Sequence, residues 1–151
     1  MMMSMIIEDY AGAQLGWADV ERLTDALAKD ISSHNWLPDF ITPVPRGGWT
    51  VAALLAQKLN VKASVAVDLI LHPDHQLVSR TSGMPIPNAK VLVVEDTLET
   101  GRKAKAFKEQ LRISGAADVR TAAYFILGTC QFTPDFFIGS LAENPKFPWD
   151  S

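Results

Sequence analysis

The chain has little that would mark it for oxidation, for a membrane or for a polyanion. Its 151 residues include one cysteine, Cys130, so no disulfide framework and no cysteine-based zinc site can form. The longest apolar runs fall far short of the ~18 residues of a membrane span. The opening MMMSMIIEDYAG has neither a cationic start nor a long apolar stretch, which is not the pattern of a secretory signal. Charge of one sign is also scarce: 14 Lys and Arg face 17 Asp and Glu, a net of −3. No broad basic face is expected, which argues against nucleic acid as the main partner. Of the three histidines, His72 and His75 flank Asp74, but no further ligand completes a metal set, and the stretch reads as solvated loop. There is no internal repeat, low-complexity tract or linker, so a single domain over 1–151 is expected, soluble and cytoplasmic.

What is present is apolar: 48% of the residues, enough for a sizeable core. Val20, Leu23, Leu27 and Ile31 recur at the spacing of one helical face, ended by Asn35 and Pro38. Phe40–Val44 reads as a short strand. Pro45-Arg46-Gly47-Gly48 reads as a turn in which Gly-Gly frees the backbone for unusual dihedrals, and 49–59 as a helix. Val65–Leu71 is expected as a second strand. Residues 71–90 are polar, rich in proline and without period, a long connection of the functional or mobile kind. A strand over 90–94, a helix over Gly101–Ser114 stopped by Gly115, a strand over Val119–Leu127 and a short one at Phe136–Ile138 complete the pattern. Strands alternating with helices predict an α/β fold with a doubly wound, mostly parallel sheet.

The stretch 91–101, VLVVEDTLETG, carries the chemistry. A continuously apolar run, Val91–Val94, reads as a buried parallel strand. It breaks into two adjacent carboxylates, Glu95 and Asp96, and a turn follows with Glu99, Thr100 and Gly101 before a helix. The carboxyl end of such a strand is where ligands bind in open α/β sheets. Acids followed by a hydroxyl and a glycine at a helix start suit a ligand with both hydroxyls and a phosphate.

VVEDTLETG resembles the phosphoribosyl-pyrophosphate (PRPP) motif of the type I phosphoribosyltransferases. PVPRGGWTVAALLAQKL, residues 43–59, is similar to the family's pyrophosphate loop, and Phe147-Pro148-Trp149-Asp150 to the end of the base-binding hood of its bacterial and archaeal purine enzymes. The resemblance implies a flexible loop at about 72–88 and a small hood at about 128–151. It implies Mg²⁺ bound with PRPP, held at Glu95 and Asp96. It implies PRPP contacts at Arg46, Gly47, Arg80, Glu95, Asp96, Thr97, Leu98, Glu99, Thr100, Gly101, Arg102 and Lys103, and a catalytic role for Asp96 and for Glu99, the latter as general base near a ring nitrogen. Glu99, Pro145 and Phe147 would then contact the base. Lys103 stands where the family carries a Thr or Ser hydroxyl, Leu127 where purine enzymes carry a Lys, and Asn144 where they carry a stacking Trp. The implied reaction is transfer of phosphoribose to a nucleobase, a 6-oxopurine being favoured, by a homodimer or homotetramer; the alternative is a PRPP- or nucleotide-sensing regulator on the same fold.

Overall fold

The computed structural model describes residues 7–61, 67–71, 77–81 and 86–150, and for 67–71 and 77–81 the backbone alone. Helix α1 (Trp17–Ser33) forms as its spacing predicts, burying Val20, Leu23, Leu27 and Ile31 along one stripe. The strands β1 (Phe40–Pro43), β4 (Lys90–Leu98), β5 (Asp118–Leu127) and β6 (Phe136–Leu141) make one sheet in the order β1-β4-β5-β6. Every pairing in it is parallel. Helix α2 (Gly48–Leu59) follows β1, and α3 (Arg102–Ile113) joins β4 to β5.

Neighbouring side chains on a strand face opposite sides, and the two cores divide accordingly. Ile41, Leu92, Val94, Ala122 and Tyr124 pack with α1 and α2 on one face. Phe40, Val91, Val93 and Val119 pack with Phe107 and Leu111 of α3 on the other. The sheet is therefore covered on both sides, which is why β4 reads as an unbroken apolar run. Tyr124 is fully buried on the α1 face. Its hydroxyl meets Thr24 Oγ1 at 2.6 Å, so the one polar atom of that ring has a partner.

The amino ends of the strands are closed. Asp39 exchanges hydrogen bonds with the Lys90 backbone, and Trp36 Nε1 donates to Asp118 at 3.0 Å. The carboxyl ends are open, and the functional residues gather there.

Two expectations are corrected. The second strand, β2 (Val67–Leu71), does not join the parallel sheet among the described residues. It pairs antiparallel with β3 (Leu77–Thr81), Val67 opposite Thr81 and Leu71 opposite Leu77. The connection expected to lack structure thus contributes β3, a short strand whose polar Ser79 and Arg80 conceal any period. Of the rest of the expected loop, 72–76 and 82–85, with His72, Asp74 and His75, lie outside the described residues. The other correction concerns β4, which does not stop at Val94. It pairs with β5 as far as Leu98 opposite Ile126, so both acids belong to the strand itself.

Candidate active site

Three segments, joined by Asn144, Trp149 and Asp150, line a cavity of about 520 Å³ beyond the carboxyl end of β1. The first is the β1–α2 turn. Val44 N donates to Val94 O at 2.8 Å, carrying the chain alongside β4 into the turn. The Pro45–Arg46 peptide bond is cis. Neither glycine is needed for its dihedrals: Gly47 has φ −59° and ψ −29°, ordinary right-handed values. What excludes a side chain is space. A Cβ on Gly47 would overlap the Asp96 carboxylate, and one on Gly48 would lie 2.5 Å from Val94 O.

The second segment is the carboxyl half of β4. Pairing with β1 ends at Pro43 opposite Val94. From Glu95 onward no strand among the described residues pairs with that edge of β4, and Glu95 and Asp96 both line the cavity although strand neighbours face opposite ways. Burial pushes the Glu95 carboxyl up to about 8, with the Asp96 charge adding to it and Lys103 opposing it. Burial also raises Asp96, against the hydrogen bonds it accepts from Trp149 and from the Thr97 amide. Those bonds are 2.9 Å from Trp149 Nε1 to Oδ2 and 2.6 Å from Thr97 N to Oδ1.

The third segment is the loop from Glu99 to Lys103 and the start of α3. Gly101 sits at φ +80°, a left-handed conformation that favours glycine, and a Cβ there would come within 2.6 Å of Phe132 Cβ. Thr100 Oγ1 accepts from Arg102 N at 3.3 Å. The loop is braced from behind: Thr129 Oγ1 donates to Glu99 O at 3.2 Å, and Gln131 N to Thr100 O at 3.3 Å. The helix start and the Arg102 and Lys103 side chains supply cations and amides to this wall, a combination that binds anions. Asn144 Nδ2 donates to Glu99 Oε1 at 3.3 Å across the opening. A carboxylate only accepts, so the amide nitrogen is the end facing it.

Acids at an open strand edge, a glycine-tight turn bearing an arginine, and a cationic helix start can together hold a sugar's hydroxyls and two phosphate groups. Residues 16–150 match the phosphoribosyl transferase domain. The chain belongs to that family. It is 29% identical over 146 residues to a xanthine-guanine phosphoribosyltransferase of Chromohalobacter salexigens, covering 90% of this chain and 82% of that one. In fold it matches the purine phosphoribosyltransferase of Pyrococcus horikoshii Ot3 with a TM-score of 0.78, at 24% identity over 92% of this chain and 94% of that one. It also matches the xanthine-guanine-hypoxanthine phosphoribosyltransferase of Helicobacter pylori with a TM-score of 0.72, at 17% identity over 91% and 93%.

As a phosphoribosyl transferase domain, the chain places most of its expected site residues together. Arg46, Gly47, Glu95, Asp96, Thr97, Glu99, Thr100, Gly101, Arg102 and Lys103 all line the one cavity. Three do not. Leu98 is 1% exposed and packs beneath the loop with Ala104 and Ala123. Pro145 is buried away from the lining. Phe147 is 1% exposed, and its ring lies between Tyr124 and Trp149 in the core. The Arg80 side chain lies outside the described residues.

Four lining residues were not assigned to the site from sequence: Pro45, Asn144, Trp149 and Asp150. Pro45 and Asp150 adjoin motif residues, so proximity in the chain is a usable signal. Trp149 carried one too, an aromatic two residues from Phe147, without any indication of which ring faces the cavity.

The acid pair fits a Mg²⁺ ion of limited demand. Among the described residues no group of three or more His, Cys, Asp or Glu forms a metal cage. Mg²⁺ needs only one or two carboxylates when phosphate oxygens and water complete its shell. Two partly buried acids with raised affinity for protons are suited to a cation that arrives with its own anionic ligand. Among the described residues no helix is long and apolar enough to cross a membrane.

Proposed function

We propose that the protein transfers phosphoribose from PRPP to a purine base, a 6-oxopurine in the first instance, giving a nucleoside monophosphate and pyrophosphate. The observation carrying this reading is the convergence of Arg46-Gly47, Glu95-Asp96 and Thr100–Lys103 on one cavity. The names of the relatives support the purine assignment.

In this reading the loop amides, Thr100 and the cations at 102 and 103 hold the 5′-phosphate. Asp96 and Glu95 accept from the ribose hydroxyls. Arg46 and the start of α2 stabilise pyrophosphate as the anomeric C–O bond breaks. The base nitrogen forms the new C–N bond and gives its proton to Glu99. Glu95 and Asp96 would hold a Mg²⁺ ion arriving with PRPP, which would supply charge neutralisation for the leaving pyrophosphate. The active form is taken to be a cytoplasmic homodimer or homotetramer.

A PRPP- or nucleotide-sensing regulator is the second reading. What favours it is Lys103 on the phosphate wall and Leu127 and Asn144 at two positions of base recognition. Substitution separates the assignments. Asp96→Asn and Arg46→Ala should each abolish turnover in a PRPP-dependent assay; near-normal turnover in either variant contradicts the site.

A further inference from the structure

Asp96 is held from three directions, and the most elaborate support comes from the other end of the chain. Thr97 N donates to its Oδ1 and Trp149 Nε1 to its Oδ2, one donor on each oxygen, while Gly47 closes against it. Two donors on opposite oxygens fix the plane of a carboxylate. They leave a lone pair on each oxygen for a ligand.

The indole is itself fixed. It lies parallel to the Phe147 ring, centroids 4.8 Å apart and planes 3° apart, and Trp17 packs at 5.9 Å. Phe147 is anchored on Tyr124 at 5.9 Å. The turn carrying both rings is closed at each end. Asp150 Oδ2 accepts from Phe147 N at 2.8 Å, and Asp150 N donates to Phe147 O at 3.0 Å. Before it, Lys146 N donates to Ala13 O and Leu15 N to Lys146 O, each at 2.8 Å.

Stacking on Phe147 could be served by any aromatic ring. Unlike phenyl, indole carries an N–H, and here it reaches Asp96 from that stack. We propose that Trp149 is a positioning residue for phosphoribosyl transfer: through its Nε1–H it sets the orientation in which Asp96 meets the ribose hydroxyls of PRPP. The Phe147–Asp150 turn, whose Trp149 and Asp150 line the cavity, thereby belongs to the PRPP half of the site. This rests on the proposed phosphoribosyl transfer.

Trp149→Phe keeps a ring on Phe147 and deletes the donor. A hydrogen bond to a charged group is worth about 10- to 100-fold in affinity. Calorimetry with PRPP and Mg²⁺ should show the Kd for PRPP rising by about that factor. The KM for the base should stay within about twofold. An unchanged PRPP Kd, or equal losses for PRPP and base, overturns the proposal. Unfolding of wild type, Trp149→Phe, Asp96→Ala and the double variant supplies a readout free of PRPP. Removing Trp149 should matter in the wild type and cost little once Asp96 is gone; additive losses overturn the proposal. If the wild type fails to bind PRPP while the cycle is non-additive, the assigned reaction falls and the Trp149–Asp96 coupling stands without it.

Discussion

Replacing Gly47 by alanine probes the closest approach in the cavity. The glycine has ordinary right-handed dihedrals, so its backbone tolerates alanine, but the added Cβ overlaps the Asp96 carboxylate. Asp96 must turn, and in turning it strains or loses its bonds to Trp149 and Thr97. Overpacking of this kind costs about 1–3 kcal/mol, and one lost bond to a charged acceptor about 1.5–3 kcal/mol. A total of about 2.5–6 kcal/mol should lower the melting temperature by about 5–20 °C. Displacing an acid by about 1 Å should reduce kcat/KM on the order of 100-fold. The decisive assay is the same substitution in an Asp96→Ala background. There the overlap is gone, and Gly47→Ala should be neutral or stabilise by about 0.4–1 kcal/mol by restricting the unfolded chain. An equal loss in both backgrounds refutes the reasoning, because some contact other than Asp96 would then demand the glycine.

Two further outcomes follow from buried polar groups. Thr97 Oγ1 is buried without a hydrogen-bond partner among the described residues, so Thr97→Val should stabilise the ligand-free protein by about 1 kcal/mol, seen as a rise of a few degrees in thermal unfolding; a fall means the hydroxyl has a partner. Burial holds the Glu95 carboxyl at about 8 instead of the usual 4.5. Below 4.5 both folded and unfolded chains keep that proton. Between 4.5 and 8 the unfolded chain releases it and the folded chain retains it, so stability of the ligand- and cation-free protein falls as pH rises, by a few kcal/mol across the window, and levels off above 8. Denaturant unfolding at pH 5.5 and 7.5 should show this slope in wild type and a reduced one in Glu95→Gln; equal slopes place the effect elsewhere.

How far the sequence led can be judged from particular elements. Helix α1 was legible because its stripe at Val20, Leu23, Leu27 and Ile31 faces one uniform core. Strand β4 was legible only to Val94. Its acids interrupt the apolar run, while its pairing continues to Leu98 because β5 continues beside it, a long-range fact that no local pattern carries. Strand β3 was missed because Ser79 and Arg80 break any apolar run in its five residues, and its antiparallel register with β2 is carried by no local pattern. The glycines of the β1–α2 turn were recognised for the wrong physical reason, dihedral freedom in place of space beside Asp96 and Val94. In the Phe147–Asp150 turn the two rings were visible, but their division of labour depends on Tyr124 and Asp96, which lie far away in sequence.

The central claim is that this cavity transfers phosphoribose to a purine. It is tested most directly by measuring product formation from PRPP and Mg²⁺ with xanthine, guanine, hypoxanthine, adenine, uracil and orotate in parallel. The account predicts a nucleoside monophosphate and pyrophosphate in equal amounts with at least one 6-oxopurine, and markedly less with the pyrimidines. Turnover restricted to a pyrimidine contradicts the purine assignment. Silence with all six bases contradicts the enzymatic reading, and leaves PRPP binding without turnover as the mark of the regulator.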